Sequence, residues 1–270
     1  MSNIIQQYYG DFHDALTLPP QDITSKVESD RGESLRNAIA SGSLFRSGYN
    51  IGDYFYSHSS HTMYNDADNS GNGSQATVKF KYTLADVDTY YGGYTNNAVV
   101  DTHHLAIIVD TMIASRWQTN GTTFNGYTGS RLQERLVSSD ILGNIKSDLA
   151  YIIPSSDSAT NHLVSHNKLF SKGTSGNEWA WVNSQVISAL TEMDIYGAPI
   201  WSGNSYQQGE AVRQLEVFRK YRFNLLFGNV WFWLRSLNSA SGACVAHYTG
   251  YAGRNGVGYA GRAVGLILFY

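Results

Sequence analysis

Residues 246–270 read AHYTGYAGRNGVGYAGRAVGLILFY, and they close with an apolar run that is typical of a buried β-strand. The stretch contains Gly-Tyr-Ala-Gly-Arg twice, at Gly250–Arg254 and at Gly258–Arg262. Because glycine permits tight and positive-φ turns, we expect two turns of one hairpin region, with their tyrosines facing outward. The flanking "CVA" and "VGLILFY" strands would anchor these turns in the core.

The composition predicts a globular chain with a neutral, tyrosine-rich surface. Charged residues make up 15% of the 270 residues and aromatic residues 13%, with 26 Gly, 19 Tyr and only 4 Pro. Ordinary globular proteins carry about 25% charged residues. The net charge of -3 argues against nucleic-acid binding, because no basic excess exists to neutralise phosphates.

Neither secretion nor membrane insertion is expected. The single cysteine, Cys244, excludes a disulfide within the chain. The first twenty residues have no basic segment followed by an apolar one, as a signal peptide would. No apolar run approaches the roughly 20 residues that a membrane-spanning helix needs. These features favour synthesis in a host cytoplasm, with any later release by lysis.

The first 44 residues form a predicted N-terminal arm. Val27, Leu35 and Ile39 recur at helical spacing and Gly42 follows them, which indicates one short helix. Two interpretations stay open. The helix packs against the domain, or residues 1–44 attach the protein to a larger assembly.

From residue 45 onward, short strands alternate with Gly, Asn and Ser loops. Thr77–Val87 predicts one half-buried strand, because its apolar side chains alternate, and His103–Thr111 predicts a central strand. The inward positions of the first strand are Val78, Phe80, Tyr82 and Leu84. After Trp231 the segments "VWFWLRS", "ACVAHY" and "AVGLILFY" return to strand patterns.

Two segments have the spacing of helices. The first is capped by Ser130 and carries Leu132, Leu136, Ile141, Ile145 and Leu149. The second carries Val186, Ile187, Leu190, Met193 and Ile195 and ends at Gly197, a C-terminal cap residue. Two helices among many short strands predict a single α+β domain over residues 45–270.

Metal ligation is weakly indicated. Asp66, Asp68 and Ser70 alternate like the opening of a calcium loop, but position twelve is Thr77 where a bidentate Glu should stand. Loops of Asn, Asp and Gly are mostly turns, so a turn is the favoured interpretation. The pairs His58/His61 and His162/His166 lack an acidic or cysteine companion in the sequence, so we expect solvated loop histidines. We therefore predict no metal and no cofactor.

No catalytic motif is found. In an extended segment Cys244 and His247 point to opposite faces, so they do not form a dyad, and a buried thiol is expected. The segment "GRNGVG" is not followed by a helix, which excludes a phosphate-binding loop. We predict that the chain is not an enzyme.

A ligand-binding surface is predicted in the final third, which is rich in the residue types of antibody-like binding sites. Any one of these residues could equally edge a β-sheet, but their clustering beside two glycine turns favours a ligand. The candidates are Asn238, Ser239, Ser241, His247, Tyr248, Tyr251, Arg254, Asn255 and Tyr259.

The order of landmarks resembles the C-type-lectin-like domain family. "GNEWAW" (Gly176–Trp181), "LTEMDIYG" (Leu190–Gly197), "VWFWLRS" (Val230–Ser236) and the closing "AVGLILFY" follow one another in that order. The pattern is similar to the sulfatase-modifying branch, and most of all to a group in bacteriophage and gut-bacterial proteins with the signature "WLRS" and then "GVRP". The resemblance spans roughly residues 45–270 and implies a domain of short twisted antiparallel strands.

The chain departs from the family at three points. The closing "GVRP" is replaced by Gly261–Gly265, with sequence GRAVG. Enzymes of the sulfatase-modifying branch need paired cysteines, and this chain has one. The Glu-Pro-Asn, Gln-Pro-Asp and Trp-Asn-Asp motifs of the calcium-dependent lectins do not occur.

The resemblance implies a bacteriophage virion structural protein, similar to tropism-determining fibre proteins. The expected role is a tail-fibre or surface adhesin that binds a host-surface protein or glycan. A homo-oligomer such as a trimer is expected, with the N-terminal arm contacting other virion proteins. The alternatives are a capsid decoration or tail scaffold protein without a receptor, and a formylglycine-generating-like enzyme, which the single cysteine opposes. Trp231, Trp233 and Leu234 should pack the core, and Arg235 should bond buried carbonyls.

Overall fold

A computed structural model describes residues 19–64, 74–90, 101–118, 126–171, 179–202 and 214–270. Its α-helices are α1 Thr24–Ser29, α2 Glu33–Ala40, α3 Arg131–Leu136, α4 Asn144–Tyr151, α5 Glu192–Tyr196, α6 Glu216–Lys220 and α7 Phe223–Phe227. A π-helical turn covers Ser139–Gly143, and 3₁₀ turns cover Tyr127–Gly129 and Ala159–His162.

The strands are β1 Tyr54–Tyr56, β2 His61–Tyr64, β3 Gln75–Val78, β4 Lys81–Val87, β5 Leu105–Arg116, β6 His166–Ser171, β7 Trp179–Gln185, β8 Phe232–Ser239, β9 Gly242–Ala246, β10 Ala252–Gly256 and β11 Ala260–Phe269. Seven of them form one sheet in the order β1-β4-β5-β11-β8-β9-β10, while β2-β3 and β6-β7 are separate pairs. The sheet is mixed, because β8 runs parallel to β11 and the other neighbours are antiparallel. The predicted α+β class is confirmed.

The two most apolar strands lie side by side at the centre of the sheet. β5 and β11 pair in antiparallel register from Leu105↔Phe269 to Arg116↔Ala260. Residues 105–111 and 263–269 are buried throughout, as expected for strands covered on both faces. The prediction of a central strand at His103–Thr111 and a closing strand at the C-terminus is therefore confirmed.

A bulge interrupts this central pair beside the second Gly-Tyr-Ala-Gly-Arg copy. The register shifts between Arg262 and Val264, and Met112 opposite has φ 60. Asp110 holds the bulge, because its carboxylate accepts a hydrogen bond from Met112 N at 2.9 Å and from Arg262 Nη1 at 3.0 Å. Burial raises the pKa of Asp110, and the Arg262 charge opposes that rise.

The predicted strand at Thr77–Val87 is interrupted. It divides at Lys79–Phe80 into β3 and β4, which belong to different sheets. Phe80, Tyr82 and Leu84 are buried as predicted, but Thr83 and Ala85 are buried too. β4 is therefore covered on both faces, which the alternating pattern did not indicate.

The first predicted helix is divided as well. The five apolar side chains from Leu132 to Leu149 are all fully buried, and Ser130 Oγ caps α3 by accepting from Gln133 N. Ser138, however, adopts an extended conformation and its side chain accepts a hydrogen bond from Ile141 N. This second cap ends α3 and starts the π-helical turn that leads into α4.

The second predicted helix forms only at its C-terminal end. Only Glu192–Tyr196 is helical, and Gly197 ends it at φ 71 as predicted. Upstream, Ser188 exchanges two backbone hydrogen bonds with Leu266 of β11. Pairing with the central sheet therefore overrides the local helical spacing of residues 186–190.

The N-terminal arm contains two short helices, α1 and α2, where the sequence predicted one. Arg31 and Gly32 have positive φ, and the Asp30 carboxylate accepts from Gly32 N and Ser34 N, which separates α1 from α2. Val27, Leu35 and Ile39 are buried in the common core. Residues 19–44 thus pack against the rest of the chain, while residues 1–18 lie outside the described part.

The expected core tryptophans are found, with one difference. Trp233 and Leu234 are fully buried, whereas Trp231 is half-buried and its ring covers Gly261. Arg235 is also buried, and its Nη1 lies 3.5 Å from Ser188 Oγ.

The tryptophan over Gly261 gives a test of the sheet packing. A Cβ at Gly261 would overlap the Trp231 ring, so we expect Gly261→Ala to lower the free energy of unfolding by about 1–3 kcal/mol. Gly258→Ala is the matched control, because a Cβ there meets nothing within 4 Å. Urea denaturation measures both variants, and equal stabilities would contradict this packing.

Candidate functional site

The structure places the predicted ligand-binding residues at two opposite ends of β10. Tyr251 precedes the strand and Tyr259 follows it, while Arg254 lies on it. His247, Tyr248 and Tyr251 form the β9–β10 turn at one end. The residues near the β8–β9 turn at the other end are Asn238, Ser239, Ser241, Asn255 and Tyr259.

The two Gly-Tyr-Ala-Gly-Arg copies therefore do not form two turns of one hairpin. The first copy closes the β9–β10 hairpin and continues as β10, which pairs with β9. The second copy leaves that hairpin, because its continuation pairs with β5 and β8 at the centre of the sheet. The apolar run after Ala263 pairs with β5 and is buried, which takes the chain to the centre of the sheet.

The β9–β10 turn presents an ordered aromatic cluster. Gly250 has φ 88, and its N–H donates to His247 O at 2.7 Å. The His247 ring lies 4.0 Å from the Tyr248 ring and stacks on Tyr251 at 4.4 Å, centroid to centroid. Both tyrosine rings therefore contact the His247 ring. They still face solvent, because Tyr248 is 39% exposed and Tyr251 59% exposed.

Trp201 extends this cluster along β10, although no sequence pattern marked it as a candidate. Its Nε1 donates to Ala252 O at 3.1 Å, and the Arg254 guanidinium lies 4.7 Å from its ring. Such a cation–π contact stabilises an exposed pair by about 0.5–1 kcal/mol. With Trp201 41% exposed, aromatic surface continues from the turn to the edge strand.

A buried glutamate fixes the loop that carries Trp201. Glu192 is fully buried, and its carboxylate accepts from the backbone N–H groups of Ile200, Trp201 and Ser202 and from Ser202 Oγ at 2.6 Å. A carboxylate with several such donors is well satisfied in the interior. Trp201 is therefore held from the core, although its side chain lies at the surface.

We expect Glu192→Gln to release this loop. At least one N–H would lose its acceptor, which costs about 1–3 kcal/mol for a buried group. The free energy of unfolding should fall by that amount, and the fluorescence and near-UV signal of Trp201 should change. Glu134→Gln is the control, because the Glu134 side chain is 61% exposed. An unchanged Trp201 signal would contradict the role assigned to Glu192.

The only cysteine lies beneath the same loop. Cys244 is fully buried on β9, and burial, together with a hydrogen bond to the Glu192 side chain, raises the pKa of its thiol well above its usual value. The His247 ring instead contacts Tyr248 and Tyr251. The thiol is therefore protonated and enclosed, as the sequence predicted for a buried cysteine.

This thiol should be unreactive in the folded protein. Thiolate is the reactive species, and the raised pKa keeps its fraction low at neutral and mildly alkaline pH. We expect a disulfide reagent at pH 8 to label native protein at least about a hundredfold more slowly than protein in denaturant. Rapid labelling of native protein would contradict this environment and support the enzymatic alternative.

The histidines are partly at odds with the sequence prediction. His61 is not a solvated loop residue but a buried one, because Asp148 Oδ1 and Oδ2 both lie 3.0 Å from its Nε2. Tyr82 donates to the same carboxylate at 2.6 Å. His58 is exposed and contacts Glu28, so the expectation holds there.

Of the other metal candidates, only His162 has a side chain within the described part of the chain. His162 contacts Asp157 and the Tyr270 carbonyl, while the side chain of His166 lies outside the described part. Asp66, Asp68 and Ser70 also lie outside the described residues. Within the described ranges, no three His, Cys, Asp or Glu side chains are grouped closely enough to hold a metal ion.

Comparison with family models, curated proteins and solved structures found no match. No helix among the described residues is both long and apolar enough to cross a membrane. The candidate site is therefore described from the contacts within this structure alone. It consists of Glu192, Trp201, Arg254 and the β9–β10 turn.

Proposed function

We propose that this chain is a binding protein without enzymatic activity, which acts as a surface adhesin of a bacteriophage virion. The contact surface would be the C-terminal face, made of the β9–β10 turn, Trp201 and Arg254. The virion role rests on the resemblance to C-type-lectin-like phage proteins, and the contact surface rests on the geometry of the described residues.

The exposure of the two tyrosines of the β9–β10 turn carries the proposal. Tyr251 is 59% and Tyr248 39% exposed. Tyrosine offers a large contact area with few torsions to order, so it is well suited to recognition. Solvent-exposed aromatic rings supported by a buried strand indicate a surface that is kept available for a partner.

The support beneath the turn strengthens this view. β9 is buried along its whole length, and the neighbouring Trp201 loop is fixed by Glu192. A rigid frame reduces the ordering cost of binding, because the contact residues already occupy their bound positions. By contrast, the one thiol that could act as a nucleophile is enclosed beneath this surface.

The remaining parts of the proposal concern assembly. The N-terminal arm would contact other virion proteins, and a homo-oligomer such as a trimer would present several copies of the C-terminal face. Several weak contacts at a fixed spacing bind far more tightly than one, which is how a fibre uses a modest single site.

Cell binding by labelled protein tests the role. Across a panel of gut bacterial strains, we expect the wild type to bind at least one strain and Tyr251→Ala to lose about tenfold or more of that binding. Tyr259→Ala reports on the opposite end of β10. Tyr64→Ala is the control, because Tyr64 is 37% exposed but lies on β2, outside the main sheet.

Folding must be unchanged for the comparison to hold, which circular dichroism and thermal melting would check. Binding to no strain, or equal binding by the wild type and both tyrosine variants, would contradict adhesion through this face. The scaffold alternative, which has no receptor, predicts the first of these results.

A further inference from the structure

A cleft of about 490 Å³ lies beside the β9–β10 turn. Its walls come from the end of α5, from residues 221–224 around the start of α7, and from Tyr248–Gly250 of the turn. Small-ligand sites have volumes of about 300–1,000 Å³. The turn is fixed against α7, because a Cβ at Gly250 would lie 3.3 Å from Phe223 Cβ.

One part of the cleft is apolar. Ile195 and Phe223 line it and are buried, and the Phe218 ring stacks on Phe223 at 6.0 Å. Tyr248 stands at the rim, where the His247 ring contacts it. None of the Ile195, Phe218 or Phe223 side chains can form a hydrogen bond, so this part of the cleft favours an apolar group.

The rim of the cleft is polar, and its charge is positive. Arg222, Asn224 and Asn229 line the cleft and are exposed, and their side chains make no hydrogen bond or ion pair with the described residues. No Asp or Glu is among the described lining residues, which leaves Arg222 as the charged one. A guanidinium binds carboxylate through paired hydrogen bonds, and a side-chain amide can pair with a peptide group.

We propose that this cleft binds an extended peptide segment in which an apolar side chain neighbours an acidic one. The apolar side chain contacts Phe223 and Tyr248, the carboxylate pairs with Arg222, and the asparagines bond the peptide backbone. A saccharide fits less well, because its hydroxyls would lose water against Ile195 and Phe223 without gaining a partner. The inference rests on the proposed binding role and specifies that the ligand is a protein.

An array of capped hexapeptides tests the inference. The central pair is Asp-Phe, Asn-Phe, Asp-Ala or Asn-Ala, in both orders, and labelled full-length protein is the probe. We expect binding to Asp-Phe peptides to exceed binding to Asn-Phe and Asp-Ala peptides by about fivefold. Arg222→Gln should abolish the preference for Asp over Asn, and Asn229→Asp should reverse it.

Arg219→Gln is the matched control. Arg219 lies three residues away, is exposed, pairs with Glu216 and does not line the cleft, so this variant should keep the preference. No preference for Asp-Phe, a preference that Arg222→Gln leaves unchanged, or binding to a saccharide array in place of the peptides would each overturn the inference.

The two proposals fail separately. Loss of cell binding in Tyr251→Ala without any peptide preference would overturn the peptide ligand and leave the adhesin role standing, because Tyr251 does not line the cleft. Peptide binding that depends on Arg222, together with cell binding that is equal in all tyrosine variants, would support the cleft and contradict adhesion through the turn.

Discussion

The antiparallel pairing of β5 with β11 is the constraint on which the rest of the structure depends. Its register runs from Leu105↔Phe269 to Arg116↔Ala260, and the strand interiors are buried on both faces. Because β11 is held in the middle of the sheet, β8, β9 and β10 must extend the sheet on its other side. The position of the β9–β10 turn therefore follows from the pairing of two apolar strands, β5 and β11, that are far apart in the sequence.

Much of the fold could be predicted from local pattern. The central strands are long apolar runs, and the caps at Ser130 and Gly197 occupy the positions that their chemistry favours. Long-range contacts caused the errors. Ser188 pairs with Leu266 instead of continuing a helix, and His61 is buried because Asp148, 87 residues away, accepts its hydrogen bond.

The candidate site could also be predicted only where local sequence pattern determines it. The exposed tyrosines beside glycines could be chosen from composition, since Tyr and Gly serve turns and recognition alike. Trp201 could not be found this way, because its contact with Ala252 spans 51 residues. The different environments of the two repeat copies could not be predicted either, because their sequences are identical. The first copy continues into the edge strand β10, and the second continues into β11 at the centre of the sheet.

Trp201 has a further consequence for the free edge of the sheet. Among the described residues β10 is the last strand of the sheet, and the carbonyl groups of such an edge strand can recruit a strand from another molecule. The indole occupies one of these acceptors at Ala252, and the Arg254 side chain lies across the indole ring. The exposed aromatic surface therefore lies at a sheet edge where one backbone acceptor is already occupied. This opposes edge-to-edge pairing of β10 between copies of the protein.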